Sequence, residues 1–165
     1  MTGVGEKPAN TMIRPARRID ARGIRALLLP FVASGIVLPR SEEEIQNKAG
    51  DFLVAEDRTG VVGCVALYDY GNGLQEVRSL TVRQDRQGQG LGSRLVAAAI
   101  ELAVERRTER LFALTLRDHF FVANGFRVVP KEMFPEKVWK DCVVCPKRDC
   151  CDEIAVLLEM PEIYN

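Results

Sequence analysis

The most constraining feature of the sequence is a glycine-rich segment between a strand-like run and a helix-like run. Residues 77–82 form a strand-like run with Val77, Leu80 and Val82 as its apolar members, glycines stand at positions 88, 90 and 92, and helix-forming residues continue from 91 to 107. A strand that enters a helix through such a turn leaves backbone N–H groups unpaired at the positive end of the helix dipole. Because glycine has no side chain to hold an anion away from that backbone, the segment predicts an anion-binding site.

The spacing of these glycines excludes two common phosphate-binding motifs. The segment lacks the Gly-Lys-Ser/Thr ending of a P-loop, and its glycines follow the pattern G-x-G-x-G instead of the G-x-G-x-x-G of a dinucleotide-binding fold. A flexible surface turn before an ordinary helix is the structural alternative. The strand-like run before the segment and the helix-like run after it favour the anion site.

The same segment resembles the acetyl-CoA pyrophosphate loop of the GNAT acetyltransferases, whose pattern is Q/R-x-x-G-x-G/A. The run from Gln87 to Gly92 matches every required position. The resemblance implies that acetyl-CoA is the co-substrate and that backbone amides of the preceding strand position its thioester. The residues implied in acetyl-CoA binding here are Leu80, Thr81, Val82, Gln87, Gly88, Gln89, Gly90, Leu91, Gly92 and Ser93.

Length and composition indicate one globular domain without a membrane or nucleic-acid partner. The chain has 165 residues, and its 23 basic side chains equal its 23 acidic ones, so no global positive field attracts nucleic acid. No apolar run reaches the roughly 20 residues that span a bilayer. Residues 1–11 are polar, which excludes a secretory signal and predicts a disordered tail before a single domain over 12–165. We therefore expect a cytoplasmic protein.

The pattern of apolar residues over 12–160 predicts the element order β-α-α-β-β-β-α-β-α-β-β. Asp20 is the expected N-cap of the first helix, which Pro30 or the Ser34-Gly35 pair should end or kink. Ser41 begins a capping-box pattern, so a short second helix should follow. The pattern alone indicates a mixed α/β or α+β domain. The order resembles the GNAT fold, which implies a mixed, mostly antiparallel central sheet flanked by helices.

Two charged side chains stand two residues apart on the strand before the glycines. Glu76 and Arg78 point to one face of that strand, where charge is costly unless it is used or paired. Acetyl transfer to an amine requires a base for the ammonium proton. The functional interpretation makes Glu76 that base, directly or through water, and Arg78 an anchor for a substrate carboxylate. The structural alternative is a cross-strand ion pair on a half-exposed face.

Two further arginines are candidates for binding substrate carboxylates. Arg117 follows the strand predicted over 111–116, and a guanidinium there can hold a carboxylate through two N–H groups. Arg40 precedes the capping box, in the segment that shapes the acceptor pocket of GNAT folds. Each arginine alone is also compatible with a solvated surface position. Their joint placement therefore carries the prediction.

Several runs are similar to the amino-acid N-acetyltransferases of the N-acetylglutamate synthase type. These runs are Leu38–Ser41, Glu76–Val82, Phe112–Thr115, Phe120–Phe126, Lys137–Cys142 and Cys151–Glu153. The resemblance implies acetylation of the α-amine of L-glutamate or a similar small acidic amino acid, as in arginine biosynthesis. The alternatives are another small amine or a protein N-terminus as acceptor, and a non-catalytic acyl-CoA-binding or metal-binding module. GNAT proteins are often homodimers, and the sequence leaves the oligomeric state open.

One position departs from the usual GNAT pattern. Many GNAT enzymes carry a tyrosine acid four residues before the glycine that Gly125 matches, and this chain has Phe121 there. Phenylalanine cannot donate a proton. The resemblance therefore implies that Phe121 contacts acetyl-CoA without acting as the acid. The thiolate would then leave unassisted or take a proton from water. Tyr68, Tyr70 and Cys64 are weaker candidates for the acid.

The segment over 137–153 is rich in cysteine. Cys142, Cys145, Cys150 and Cys151 are compatible with zinc binding, but adjacent cysteines rarely ligate one tetrahedral ion together. In a cytoplasmic protein, reduced structural thiols or a redox-labile loop are favoured over a metal site. We therefore expect no metal.

Overall fold

The computed structural model describes residues 10–37, 39–134 and 153–160. The strands are β1 (Met12–Pro15), β2 (Phe52–Asp57), β3 (Gly60–Gly71), β4 (Leu74–Val82), β5 (Arg110–Thr115), β6 (Arg127–Val129) and β7 (Ile154–Glu159). The α-helices are α1 (Ala21–Ala33), α2 (Glu42–Asn47), α3 (Leu91–Glu105) and α4 (Asp118–Ala123). Single 3₁₀ turns cover Arg18–Asp20, Ala49–Asp51, Gln84–Arg86 and Lys131–Met133. Helices and strands follow one another in the predicted order.

The strands form one mixed sheet in the order β1-β2-β3-β4-β5-β7-β6. The pairs β1–β2, β2–β3, β5–β7 and β6–β7 are antiparallel, and β4 runs parallel to β5. The prediction of an α/β fold with a mixed, mostly antiparallel sheet is therefore confirmed. Both outer strands are short, since β1 has four residues and ends in Pro15, and β6 has three.

The chain divides into two compact units. The first unit comprises Met1–Ala66 and Ser79–Ala99, and the second comprises Leu67–Arg78 and Ile100–Asn165. The expected single domain over 12–165 stays a prediction. Residues 1–9 of the expected tail and residues 137–152 of the cysteine-rich segment lie outside the described residues. Within the described ranges, no helix combines the length and the apolar composition needed to cross a membrane.

The core of the first unit is formed by α1 and α2 together with residues of β2 and β3. Apolar side chains of these elements pack into one cluster because the helical and strand periods each turn an apolar face to it. Its buried members are Ala16, Ala21, Ile24, Leu27, Leu28, Ile45, Phe52, Val54, Cys64 and Ala66.

Helix α1 differs from its prediction in the capping contact at its start, and it ends at the predicted Ser34-Gly35 pair. Asp20 occupies the N-cap position, but its side chain does not cap α1, because Arg14 and the Arg17 backbone N–H already bind its carboxylate. Pro30 does not end the helix, which continues to Ala33. Val32, beyond the proline, packs against the buried cluster, and this contact helps to offset the hydrogen bond that proline cannot donate.

Helix α2 begins as the sequence predicts. The Ser41 hydroxyl accepts a hydrogen bond from the Glu44 backbone N–H at 3.0 Å, which satisfies one of the unpaired donors of the first turn. Three glutamates in that turn, Glu42 to Glu44, also complement the helix dipole. The cap fixes the entry of the chain into α2, directly after Arg40.

The second unit has its own apolar core on β4, β5, β6 and β7. Phe112 on β5 stacks against Phe134 with ring centroids 4.2 Å apart, and Tyr70 packs at the edge of this cluster. The parallel pairing of β4 with β5 places Glu76 opposite Phe112. The buried members of this apolar core are Leu74, Phe112, Val129, Phe134, Ala155 and Leu157.

Candidate active site

The glycine loop, residues 87–92, lies between β4 and the start of α3 in the first unit. Gly88 and Gly90 have φ angles of 80° and 83°, a region that side chains other than glycine enter only with strain. Apart from its chain neighbours, no atom of the described residues lies within 4 Å of the position that a Cβ would take at either glycine. These glycines are therefore required by backbone conformation, and the space above the backbone stays open for a ligand.

The flanks of the loop are held by hydrogen bonds and by packing. The Gln87 side-chain amide donates to the Val82 carbonyl at 3.0 Å, which ties the loop back to the end of β4. The first helical hydrogen bond runs from the Arg94 N–H to the Gly90 carbonyl at 3.1 Å, and Leu91 is buried at the helix start. Helix geometry leaves the N–H groups ahead of Arg94 without intrahelical acceptors, as an anion site requires.

The end of β4 that precedes the loop contains an irregular residue. Ser79 has φ of 56°, which interrupts the regular alternation of the strand just before Leu80 and Thr81. The Cys64 thiol donates to the Ser79 carbonyl at 3.2 Å. The hydroxyl oxygen of Thr81 is buried and has no hydrogen-bond partner among the described residues. A buried unpaired hydroxyl is uncommon in native proteins, and it fits a position that a ligand completes.

Cys64 is an unsuitable proton donor despite its place beside Ser79. The side chain is fully buried, and this burial raises the pKa of the Cys64 thiol to about 12. The charge of Arg40 acts on the same thiol and lowers its pKa by a smaller amount, so Arg40 lies in the neighbourhood of Cys64 within the first unit. The sequence did not indicate this relation between Arg40 and β3.

Two arginines immediately before the glycine loop are ion-paired. Arg83 contacts Asp85 through Nε at 2.6 Å and through a terminal nitrogen at 3.1 Å. Arg86 pairs with Asp57, whose side chain is fully buried at the end of β2. Arg83 also donates to the Thr59 hydroxyl at 3.0 Å, in the turn between β2 and β3.

A cluster of charged and aromatic side chains, the Glu76 cluster, occupies the second unit. It consists of Glu76 and Arg78 on β4 and of Tyr68 and Tyr70 on β3. The Glu76 carboxylate accepts from the Tyr70 hydroxyl at 2.8 Å and from Arg78 Nε at 2.7 Å. A terminal nitrogen of Arg78 donates to the Tyr70 hydroxyl at 2.5 Å, and the guanidinium carbon lies 4.2 Å from the centre of the Tyr68 ring.

The contacts within this cluster offset the energetic cost of burying its charged groups. Glu76 is 6% exposed, and an isolated carboxylate at such a position would be costly. Arg78 supplies the opposite charge, Tyr70 a hydrogen bond, and Tyr68 a π-face for the guanidinium. An ion pair therefore exists, as the structural alternative expected, but it joins two residues of one strand in a mostly buried place. Burial also raises the pKa of the Tyr70 phenol, which remains protonated at neutral pH.

The other predicted site residues of the second unit lie apart from these contacts. Arg117 is exposed at the N-cap position of α4, and its backbone N–H bonds the Thr115 hydroxyl at 2.8 Å. Phe121 is buried, and its ring meets those of Phe120 and Phe126 edge to face. The roles of Arg117 in carboxylate binding and of Phe121 in acetyl-CoA binding stay predictions. Cys142, Cys145, Cys150 and Cys151 lie outside the described residues.

Comparison with known proteins gives consistent matches. Residues 48–128 match the family described as "Acetyltransferase (GNAT) domain". An uncharacterized N-acetyltransferase of Chlorobaculum tepidum is 40% identical over 149 residues, which cover 90% of this chain and 96% of that protein. The amino-acid acetyltransferase of Ralstonia nicotianae is 35% identical over 139 residues, which cover 81% of this chain and 31% of that protein.

One solved structure extends the comparison to the fold. The N-acetylglutamate synthase of Neisseria gonorrhoeae, complexed with coenzyme A and N-acetyl-glutamate, matches with a TM-score of 0.82 and 29% identity. The match covers 94% of this chain and 36% of that chain. The chain therefore spans about a third of the length of the amino-acid acetyltransferase and of the synthase that it matches.

Proposed function

The chain belongs to the GNAT acetyltransferase family, and on that premise we propose that it acetylates the α-amine of L-glutamate or a similar small acidic amino acid. The donor is acetyl-CoA, and the reaction forms a C–N bond while the thioester C–S bond breaks. The relation to amino-acid acetyltransferases supports an amino acid as acceptor. With glutamate, the product is N-acetyl-glutamate, which suits a role in arginine biosynthesis. A cytoplasmic location and a homodimer stay predictions.

The glycine loop fits the pyrophosphate of acetyl-CoA. Gly88 and Gly90 keep the backbone approachable, and the N–H groups of the first turn of α3 point along the helix dipole toward a bound anion. We assign the remaining loop residues, Gln87, Gln89, Leu91, Gly92 and Ser93, to the same cradle through their backbone. Backbone amides of Leu80, Thr81 and Val82 are proposed to hold the thioester.

The observation that carries the proposed chemistry is the buried, doubly hydrogen-bonded carboxylate of Glu76. We propose that Glu76 removes the proton of the acceptor ammonium, directly or through one water, so that the free amine can attack the thioester carbonyl. Tyr70 and Arg78 fix the orientation of this carboxylate. A base held in one rotamer by two donors is prepared for proton transfer without further reorganisation.

The departing thiolate is proposed to take its proton from water. Cys64 is buried with a pKa raised to about 12, and its proton is donated to the Ser79 carbonyl. The Tyr70 hydroxyl donates to Glu76, and burial raises its pKa, so its proton is held in place. Phe121 has no proton to give. Because an ordinary thiol has a pKa of about 8.5, a released thiolate takes up a proton from solvent at neutral pH, so water suffices as the donor.

The arginines are proposed to recognise the acceptor by its carboxylates. Arg117 is exposed at the start of α4 and can offer both terminal nitrogens to one carboxylate. Arg78 already binds Glu76 and Tyr70. Besides its predicted role as an anchor for a substrate carboxylate, we therefore propose that it orients the base. Arg40 stays a prediction from its sequence position. A set of arginines disfavours a polyamine acceptor, which would call for carboxylates instead.

The test is a thiol-release assay with acetyl-CoA against each of the twenty amino acids. We expect glutamate to give the largest stimulation, with smaller effects from its closest acidic or amide relatives. The Gly90→Asp protein supplies the background, because it should lack donor binding. If no amino acid raises release above that background, the amino-acid acceptor is wrong and only the family assignment remains.

A further inference from the structure

The two arginines ahead of the glycine loop are both tied to the turn between β2 and β3. Asp57 accepts from the Thr59 backbone N–H at 2.7 Å and from the Thr59 hydroxyl at 2.6 Å, while its other oxygen pairs with Arg86. The Thr59 hydroxyl in turn accepts from Arg83 at 3.0 Å. We call this set of four side chains, Asp57, Thr59, Arg83 and Arg86, the Asp57 clamp.

The clamp is centred on a buried charge. The Asp57 side chain has no exposed surface, and that of Arg86 is only 16% exposed. Loss of one partner from such a pair leaves the other with an uncompensated charge and frees the segment that carries it. By contrast, the Arg83–Asp85 pair has side chains that are 34% and 65% exposed, so water can replace either partner.

The clamp acts on the segment that leads into the glycines. Arg83 precedes the 3₁₀ turn Gln84–Arg86, and Arg86 is its last residue. The Arg86 N–H donates to the Arg83 carbonyl at 2.8 Å. The Arg83 N–H also donates to the Val62 carbonyl of β3 at 2.8 Å. Gly88 follows two residues later, so the position of Arg86 determines where the loop begins.

We propose that Asp57 is a positioning residue for the acetyl-CoA loop. By holding Arg86 directly and Arg83 through Thr59, it keeps residues 87–92 in their binding conformation before acetyl-CoA arrives. Part of the ordering cost of binding is thereby met in the free protein, which raises donor affinity. The inference rests on the proposed donor role of the glycine loop, and it is independent of which amine is acetylated.

The positioning role of Asp57 and a direct phosphate-binding role of Arg86 predict opposite effects of Asp57→Asn on acetyl-CoA affinity. An arginine beside a pyrophosphate loop could bind phosphate itself. In that case Asp57 would compete for Arg86, and Asp57→Asn would leave acetyl-CoA affinity unchanged or increase it. If Asp57 positions the loop, the same substitution weakens binding.

The decisive experiment measures acetyl-CoA affinity by calorimetry for the intact protein and for Asp57→Asn, Arg86→Gln and the double variant. We expect each single variant to weaken binding about tenfold, and the double variant to be no worse than either, because both changes break one contact. Affinity in Asp57→Asn equal to or tighter than that of the unsubstituted protein would overturn the proposal. So would additive losses in the double variant.

Two further variants separate positioning from general damage. Asp85→Asn is the matched control, and its affinity should stay within twofold, because it removes an exposed partner of Arg83. Thr59→Val removes an exposed hydroxyl and leaves the Asp57–Arg86 pair intact, so it folds and should weaken binding about threefold. The steady-state signature of Asp57→Asn is a raised KM for acetyl-CoA with kcat and the acceptor KM unchanged. A purely structural role would lower the melting temperature and leave the affinity of the folded protein as it was.

A ligand-free measurement keeps this proposal separate from the proposed function. Backbone ¹⁵N relaxation should give lower order parameters for Gly88 and Gly90 in Asp57→Asn, and unchanged values in Asp85→Asn. Failure of every amino acid as acceptor leaves this result and the calorimetry untouched. Absence of acetyl-CoA binding by the unsubstituted protein would refute the donor role, while unchanged order parameters in Asp57→Asn would refute the clamp.

Discussion

The glycine loop and the Glu76 cluster are built on opposite principles. The loop carries almost no side-chain chemistry, since Gly88 and Gly90 take conformations that keep the backbone bare. The Glu76 cluster consists of side chains that bind one another, with Arg78 in contact with Glu76, Tyr70 and Tyr68. A backbone site holds a group common to all substrates of a family, whereas a side-chain cluster can change with each acceptor.

The same difference determines how each region should respond to substitution. The loop depends on glycines that lack side chains, so adding a side chain should abolish ligand binding. The cluster depends on side-chain contacts, so removing single atoms should weaken its activity in steps. Substitutions in one region should therefore leave the other intact.

The largest effect is expected from Gly90→Asp. The new side chain fills the cradle, adds a charge that repels phosphate, and strains a residue at φ of 83° by roughly 1–3 kcal/mol. Acetyl-CoA binding should be lost, as measured by calorimetry. Gly35→Asp is the matched control, because Gly35 has φ of 73° and open space around its Cβ position. It should lose similar stability and still bind acetyl-CoA; normal binding by Gly90→Asp would refute the loop assignment.

The next largest effect is expected from Glu76→Gln. The amide keeps the shape of the side chain and removes the proposed base, so kcat should fall by roughly 100- to 10,000-fold. Acetyl-CoA affinity should stay unchanged, which would separate the cluster from the loop. Glu159→Gln is the control, since that carboxylate is 61% exposed and pairs with Arg127. A drop in melting temperature without a specific loss of kcat would mean that Glu76 only stabilises the fold.

A smaller effect is expected from Tyr70→Phe. The substitution removes the hydroxyl that donates to Glu76 and accepts from Arg78, a loss of roughly 1.5–3 kcal/mol for bonds to charged groups. We expect kcat to fall about tenfold, because the Glu76 carboxylate loses one of the donors that orient it. Tyr68→Phe keeps the ring beneath Arg78 and should change kcat less. Equal effects of the two substitutions would contradict the orienting role of Tyr70.

The smallest effect is expected from acid pH on the Asp57 clamp. Hydrogen bonds from Thr59, together with the charges of Arg86 and Arg83, hold the pKa of Asp57 below its ordinary value of 3.8. The stabilisation by the ionised carboxylate is thus complete above pH 3.8 and is lost as pH falls through the lower pKa of the folded protein. Urea unfolding should show Asp57→Asn to be about 1–3 kcal/mol less stable at pH 7, with the gap narrowing below pH 3.8. A gap that stays constant with pH would show that the charge contributes nothing.

Much of the fold could be predicted because its signals are local. Ser41 caps α2 as expected, since a cap depends on residues within one turn. The Ser34-Gly35 pair ends α1 as predicted, whereas Pro30 lies inside the helix, because the packing of Val32 on the core was not visible from the proline itself. Asp20 stands at the predicted N-cap position of α1, but its side chain does not cap the helix, because Arg14, six residues earlier, binds its carboxylate.

The candidate site divides in the same way. The glycine loop could be found because its conformation demands glycine, a requirement written in the residue types themselves. Spacing placed Glu76 and Arg78 on one face, but it could not indicate that they pair with each other or that Tyr70 joins them. Asp57 and Thr59 form an Asp-x-Thr turn in the sequence, yet their link to Arg86 depends on the pairing of β2 with β3 and stayed hidden.

The short outer strands described above bear on how the protein behaves at high concentration. An exposed sheet edge offers a row of unpaired backbone groups on which a second chain can add as a further strand and begin aggregation. Strand β6 offers only three residues, and β1 ends in Pro15, which has no N–H to donate. Both edges are therefore poor templates, and calorimetry and relaxation experiments, which need concentrated samples, should proceed without precipitation that starts from the sheet.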